Sequence, residues 1–290
     1  MQNLQWFPGH MAKTRRLIED NLKMIDVVVE ILDSRIPYSG RNPYFNDIIK
    51  NKPRLIVMNK SDLSDKELTK QWIEWYRQNG ITVIPISCTT GQGVNKITSE
   101  ARALIQDKID RDKEKGRTRT LKIMMVGIPN VGKSSLINRL VGKASAQTGD
   151  RPGVTKGKQR IRIKGDVELL DTPGILAPKF DDQEIAKRLA YTGAIKDEIM
   201  DTELLAYSLC EYLAKNYADL LCTRYKLDSV EGLEGHEILE KIGRKRGFVI
   251  SGGEIDTERA ANMILDELRA AKIGNITLER PDEVLIDAEL

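Results

Sequence analysis

Apolar positions in the first half of the chain gather into short, nearly continuous runs, separated by polar stretches with helical spacing. Residues 25–33 (IDVVVEILD), 54–58 (RLIVM) and 82–86 (TVIPI) show little alternation, the pattern of strands buried on both faces of a parallel sheet. Between the last two, residues 65–78 set Leu68, Trp72 and Tyr76 on one helical face. Residues 121–126 (LKIMMV) predict another buried strand, followed by a helix through Leu136, Ile137 and Leu140. Residues 160–163 and 167–170 predict an antiparallel or edge pair joined at Lys164-Gly165-Asp166. Alternation of this kind implies a mostly parallel sheet between helices. Residues 106–120 (QDKIDRDKEKGRTRT) are nearly free of apolar side chains and read as a frayed helix end and solvated linker. Beyond Pro178 the spacing is helical throughout, over 183–195, 201–217, 235–245 and 257–272. The last has Thr257 as its expected N-cap, an Ala260/Ile264/Leu268 stripe and Gly274 as its stop. The expected organisation is an α/β domain over 1–177 and a small all-α domain over 178–290.

Four segments bearing recognisable chemistry sit at the ends of these strands. Gly127-Ile128-Pro129-Asn130-Val131-Gly132-Lys133-Ser134 follows LKIMMV and precedes a helix, as a phosphate-cradling loop must. Its backbone N–H groups, through Asn130, Val131, Gly132 and on to Ser135, would face a β-phosphate. Lys133 would reach the β/γ oxygens, and the Ser134 hydroxyl would bind Mg²⁺. Asn59-Lys60-Ser61-Asp62 follows RLIVM: Asp62 would accept from the N1 and N2 hydrogens of guanine, Asn59 would fix the loop and contact the base edge, and the Lys60 stem would cover the ring. Taken alone, this tetrapeptide is equally a turn leading to a helix cap at Asp65. Ser87-Cys88-Thr89 ends TVIPI, where a base-supporting loop would lie. Asp171-Thr172-Pro173-Gly174 ends the 167–170 strand. There Asp171 would hold Mg²⁺ through water and the Gly174 N–H would hold the γ-phosphate. Thr155, in Pro152-Gly153-Val154-Thr155, would add its hydroxyl to the metal. These segments occur out of their ordinary order, with the base motif first and the phosphate loop after it. Circular permutation of this kind survives when the old termini lie close together at the surface, here near 106–120.

Charge adds a partner class. The net charge of +3 hides an excess of 31 Lys and Arg over 19 Asp and Glu in residues 1–177, against 15 over 24 in residues 178–290. A basic half of this size points to a polyanion, nucleic acid first, although nucleotide phosphates and solvent also account for part of it. The flank of the Thr155 loop, with Arg151, Lys156 and Lys158, is especially basic. No run of eighteen apolar residues suggests a membrane span, and three scattered cysteines give neither a disulfide framework nor a metal spacing. The expectation is a cytoplasmic protein, monomeric by default.

The motifs in this order resemble the circularly permuted GTPases, and within them the branch acting in late assembly of the bacterial large ribosomal subunit. The resemblance covers nearly the whole chain, including Trp6-Phe7-Pro8-Gly9-His10-Met11, Asp33-Ser34-Arg35-Ile36-Pro37 and the helical tail. It implies Mg²⁺-dependent GTP hydrolysis stimulated by the ribosomal subunit, with Lys133, Thr155 and Gly174 at the reacting phosphate. Ile175 stands where Ras-type enzymes carry the glutamine that orients water. An alkyl group cannot do this, so unassisted turnover is expected below ~10⁻⁴ s⁻¹. The resemblance gives the missing role to His10, which by its residues alone reads as a turn or packing group beside Trp6 and Phe7. It also implies K⁺ beside Asn130 and contact of the helical tail with ribosomal RNA or proteins, where Lys241, Arg244, Lys245 and Arg246 form the one concentrated basic patch. Two alternatives remain at this point: a regulatory GTP switch acting on protein partners, and a phosphate-loop ATPase.

Overall fold

The computed structural model describes residues 16, 18–49, 52–142, 159–163, 166–172, 182–195 and 200–284. Six strands form one sheet. They are β1 (Val27–Asp33), β2 (Arg54–Asn59), β3 (Thr82–Pro85), β4 (Leu121–Gly127), β5 (Gln159–Ile163) and β6 (Val167–Asp171), in the spatial order β3-β2-β1-β4-β6-β5. All neighbours run parallel except β5, which pairs antiparallel with β6 at the edge. The chain therefore enters mid-sheet at β1 and moves outward through β2 to β3. It then returns to the centre at β4 and fills the other side. The permuted motif order follows from this path. Every residue of β1 is buried, because helices cover both faces of a parallel sheet. On one face Val28, Met124 and Val126 pack with Phe45 and Ile49, while Leu32, Ile56 and Met58 pack with Trp72 and Tyr76.

Helices α1 (Pro43–Ile49), α2 (Lys66–Gln78), α3 (Lys96–Ala103), α4 (Gln106–Glu114) and α5 (Lys133–Val141) accompany the sheet. In α2 the predicted stripe of Leu68, Trp72 and Tyr76 is buried, and Asp65 caps the helix by accepting from the N–H groups of Glu67 and Leu68. Helix α4 extends into the stretch read as a frayed end. It buries no side chain, and the segment after it is pinned by Arg119, which donates to Asp112 at 2.5 Å and to Asp26 at 2.6 Å. Helices α1 and α3, of seven and eight residues, escape a periodicity reading because they span barely two turns.

The chain divides into two units, one of residues 1–182 with 277–290, the other Gln183–Ile276. The second contains α6 (Gln183–Tyr191), α7 (Thr202–Asn216), α8 (Ala218–Tyr225), α9 (Gly235–Lys245) and α10 (Thr257–Arg269). Leu205, Leu209, Leu213, Ile238, Ile242, Ile264 and Leu268 form its core. Gly235 allows α9 to begin against α7, since a Cβ there would lie 2.2 Å from the Tyr207 carbonyl oxygen. Three expectations change. Helix α10 is capped by Asp256, whose carboxylate accepts from the Arg259 N–H, rather than by Thr257. It ends at Ala270, short of Gly274. Finally, the helical unit stops at Ile276, and the segment from Thr277 joins the first unit, where Trp72 Nε1 donates to the Glu279 carbonyl at 3.1 Å.

Candidate functional site

The carboxyl ends of β1, β2, β3, β4 and β6 gather at one edge of the sheet, and the connections reverse direction between β1 and β4. In open parallel sheets such a switch point is where ligands bind. Asn59, at the end of β2 and 2% exposed, joins three of the predicted segments. Its Nδ2 donates to the Val131 carbonyl at 2.7 Å, and its Oδ1 accepts from the Cys88 N–H at 3.0 Å. Base motif, Ser87-Cys88-Thr89 loop and phosphate loop are thereby locked together by one buried amide. Ser61 adds a second tie, with its N–H and hydroxyl both donating to the Ile86 carbonyl at 3.0 and 2.8 Å. Ser87 is buried and accepts from the Thr90 N–H, which tightens the same loop. Burial pushes the half-buried Cys88 thiol up to about 12, so it remains protonated at neutral pH.

The phosphate loop turns through two left-handed residues, Asn130 at φ 60° and Gly132 at φ 90°. Lys60, in the base motif, is also left-handed at φ 61°. Among the described residues only four non-glycines have positive φ, and two of them, Lys60 and Asn130, lie here, as strain concentrated at a functional site would have it. Gly132 is demanded twice, by its φ and because a Cβ would sit 2.3 Å from Asn59 Nδ2. Helix α5 begins directly after it, so its N-terminal N–H groups and dipole face whatever the loop encloses. Lys133, 6% exposed, donates to Asp171 at 2.5 Å and to the Thr172 carbonyl. Burial lowers its pKa against the opposing pull of Asp171. The phosphate-side lysine and the predicted metal-side carboxylate are thus brought into contact. Thr172 is itself fixed by a 2.7 Å bond to the Met125 carbonyl on β4. Ser134 is half-buried and Ser135 exposed on the first turn of α5.

Sequence reading missed how Lys60 is held. Its ammonium lies 2.9 Å from Oδ2 of Asp33, at the end of β1. The same carboxylate receives the Arg35 side chain through both oxygens, at 2.9 and 2.8 Å, and the Arg35 N–H at 3.0 Å. Burial disfavours the Asp33 charge, but Arg35 and Lys60 outweigh it and hold the carboxyl well below the usual range. A charged pair closing an otherwise apolar strand is a signal that the Asp33-Ser34-Arg35 segment already carried. His10, Thr155, Gly174, Arg151, Lys156 and Lys158 lie outside the described residues. Lys241, Arg244, Lys245 and Arg246 are exposed on and just after the last turn of α9, in the second unit. Of these, Arg246 also packs over the Tyr225 ring and approaches Glu267 at 3.7 Å. No helix among the described residues is long and apolar enough to cross a membrane.

Residues 122–222 match the family model described as 50S ribosome-binding GTPase. Over 281 residues, 97% of this chain and 95% of the relative, the sequence is 47% identical to ribosome biogenesis GTPase A of Bacillus cereus. The chain belongs to the ribosome biogenesis GTPase A family. The relative of that name from Thermotoga maritima is 32% identical across 97% of this chain and 96% of its own length. The structure also resembles GDP-bound YlqF, with a TM-score of 0.65 and 27% identity over 92% of this chain and all of the other. The site is therefore that of a GTPase on a circularly permuted fold, and the ATPase alternative falls away.

Proposed function

We propose that this GTPase acts in assembly of the large ribosomal subunit, binding immature subunits in its GTP state and leaving when the subunit stimulates hydrolysis. The observation that carries this reading is Ile175 beside Asp171-Thr172-Pro173-Gly174. An alkyl side chain at this position cannot orient water, so another group must complete turnover. The names of the family model and relatives make the ribosome the favoured stimulus, and the basic residues 1–177 suit ribosomal RNA. Arg151, Lys156 and Lys158, with the α9 patch of Lys241, Arg244, Lys245 and Arg246, are the proposed RNA contacts.

Within the site, Asn59, Lys60 and Asp62 take the guanine, with Ser87 and Cys88 supporting the base. The loop from Asn130 to Ser135 takes the phosphates. The Ser134 and Thr155 hydroxyls, with Asp171 through water, would hold Mg²⁺, a set of hard oxygen donors that suits this ion alongside phosphate. A metal ion held by these oxygens would supply positive charge to the phosphates. Lys133 would offset developing negative charge on the phosphates, and the Gly174 N–H would orient the γ-phosphate. Asn130 is the proposed K⁺ ligand, and His10 the group that positions water. Cosedimentation with immature large subunits should depend on GTP and weaken with salt, and the subunits should accelerate hydrolysis. Binding and turnover indifferent to the subunits would instead favour a switch acting on protein partners. His10→Ala should retain GTP affinity but lose stimulated turnover, and equal rates in KCl and NaCl would remove K⁺.

A further inference from the structure

We infer that Thr277–Glu279 is a positioning strap for guanine recognition, acting through the Asp33–Arg35 pair on Lys60 and through Asp65 on the loop that carries Asp62. The inference rests on the guanine role of residues 59–62, and not on the ribosomal reading. Glu279 is fully buried. Its carboxylate accepts from the Tyr38 N–H, from the Ser39 N–H at 3.0 and 3.2 Å, and from the Ser39 hydroxyl at 2.5 Å. One residue earlier, the Leu278 N–H donates to the Arg35 carbonyl at 2.8 Å. One residue before that, Thr277 Oγ1 accepts from the Asp65 N–H at 3.1 Å, three positions beyond Asp62. Three successive strap residues therefore hold both loops that flank the base motif.

The path from strap to base is short. Arg35, 2% exposed, is fixed at its carbonyl by Leu278, and its guanidinium fills both oxygens of Asp33. Asp33 then holds the Lys60 ammonium, and an anchored ammonium fixes the alkyl stem that covers the ring. A carboxylate buried inside a protein is costly unless it is fully bonded, so Glu279 is an expensive way merely to tie down a terminus. Its bonds make sense as an anchor for the loop beginning at Asp33. Asp33, Arg35 and Glu279 are positioning residues by this reading, since none is proposed to touch the nucleotide.

The test uses the full chain, stripped of nucleotide, with fluorescent GDP and inosine diphosphate, whose base lacks the amino group read by Asp62. Glu279→Gln keeps shape but removes the charge, and Thr277→Val removes one acceptor; the latter is mild enough to carry the test alone if Glu279→Gln does not fold. GDP affinity should fall about tenfold in Glu279→Gln and severalfold in Thr277→Val, with a smaller loss for inosine diphosphate, so that selectivity narrows. In a Lys60→Met background, where the anchored ammonium is gone, Glu279→Gln should add little, while Thr277→Val, acting through Asp65, should keep its effect. A fall in melting temperature with unchanged affinity and selectivity would make the strap purely structural and overturn the inference. A Glu279→Gln loss that simply adds to that of Lys60→Met would overturn it too.

Discussion

Replacing Gly132 by alanine tests whether the phosphate loop and base motif are coupled by direct contact. Alanine at φ 90° must accept a left-handed backbone, costing about 1–2 kcal/mol. The new methyl would also lie 2.3 Å from Asn59 Nδ2, too close to be tolerated. If the amide retreats, its 2.7 Å bond to Val131 is lost and the 3.0 Å bond from Cys88 is weakened, adding about 1–3 kcal/mol for buried groups left unpaired. The sum is about 3 kcal/mol, or roughly 6–12 °C in melting temperature for a unit of this size. Thermal unfolding of nucleotide-stripped protein measures it. The deciding comparison is made in an Asn59→Ala background, where the clash is absent and only the backbone share, about 2–8 °C, should remain. An equal drop in both backgrounds would refute the contact between Gly132 and Asn59 as the cause.

Further outcomes follow from the same site. Asp62→Asn should lower GTP affinity about a hundredfold or more while barely altering the weak binding of ATP, as competition titrations would show. Asp33 has a depressed pKa in the folded protein, so its contribution is complete above its ordinary value of 3.8 and is lost as pH falls below it. Melting temperature should therefore begin to drop near pH 4 and keep falling as the pH is lowered further, and Asp33→Asn should be less stable at pH 7 with a shallower acid dependence. A parallel curve for the variant would count against Asp33 as a source of the acid sensitivity. With its pKa pushed up to about 12, Cys88 should react with iodoacetamide at pH 8 far more slowly than free cysteine, and rapid labelling would contradict its burial.

Most of the sheet was legible because its strands are buried on both faces and so read as unbroken apolar runs. The antiparallel β5–β6 pair was legible from two short runs separated by the polar Lys164-Gly165-Asp166 sequence. The gathering of Asn59, Cys88, Val131 and Gly132 was legible only in outline: spacing puts each at a strand end, but only the fold shows that one amide bonds all three loops. Helices α1, α3 and α8 were hidden by their brevity. The Thr277–Glu279 segment was hidden for a different reason. Its bonds run to residues more than two hundred positions earlier, and nothing local distinguishes the buried Glu279 from the exposed Glu283. It also revises the meaning of the acidic tail, since part of that acidity belongs to a segment grouped with the basic first unit.

Because the chain leaves the first unit at Asp182 and re-enters it at Thr277, the helical unit is an insertion and not an appendage. An appendage hangs by one covalent thread and can swivel about it; an insertion is moored at two points, so its excursions are those of a closed loop. A stop codon after Asp182 would thus not yield an isolated GTPase unit, because it also deletes Thr277, Leu278 and Glu279 from the core around Trp72. Separating the two units requires an internal deletion that joins Asp182 to Thr277 through a short linker. Only such a chain would show what the GTPase unit does when the helices are gone.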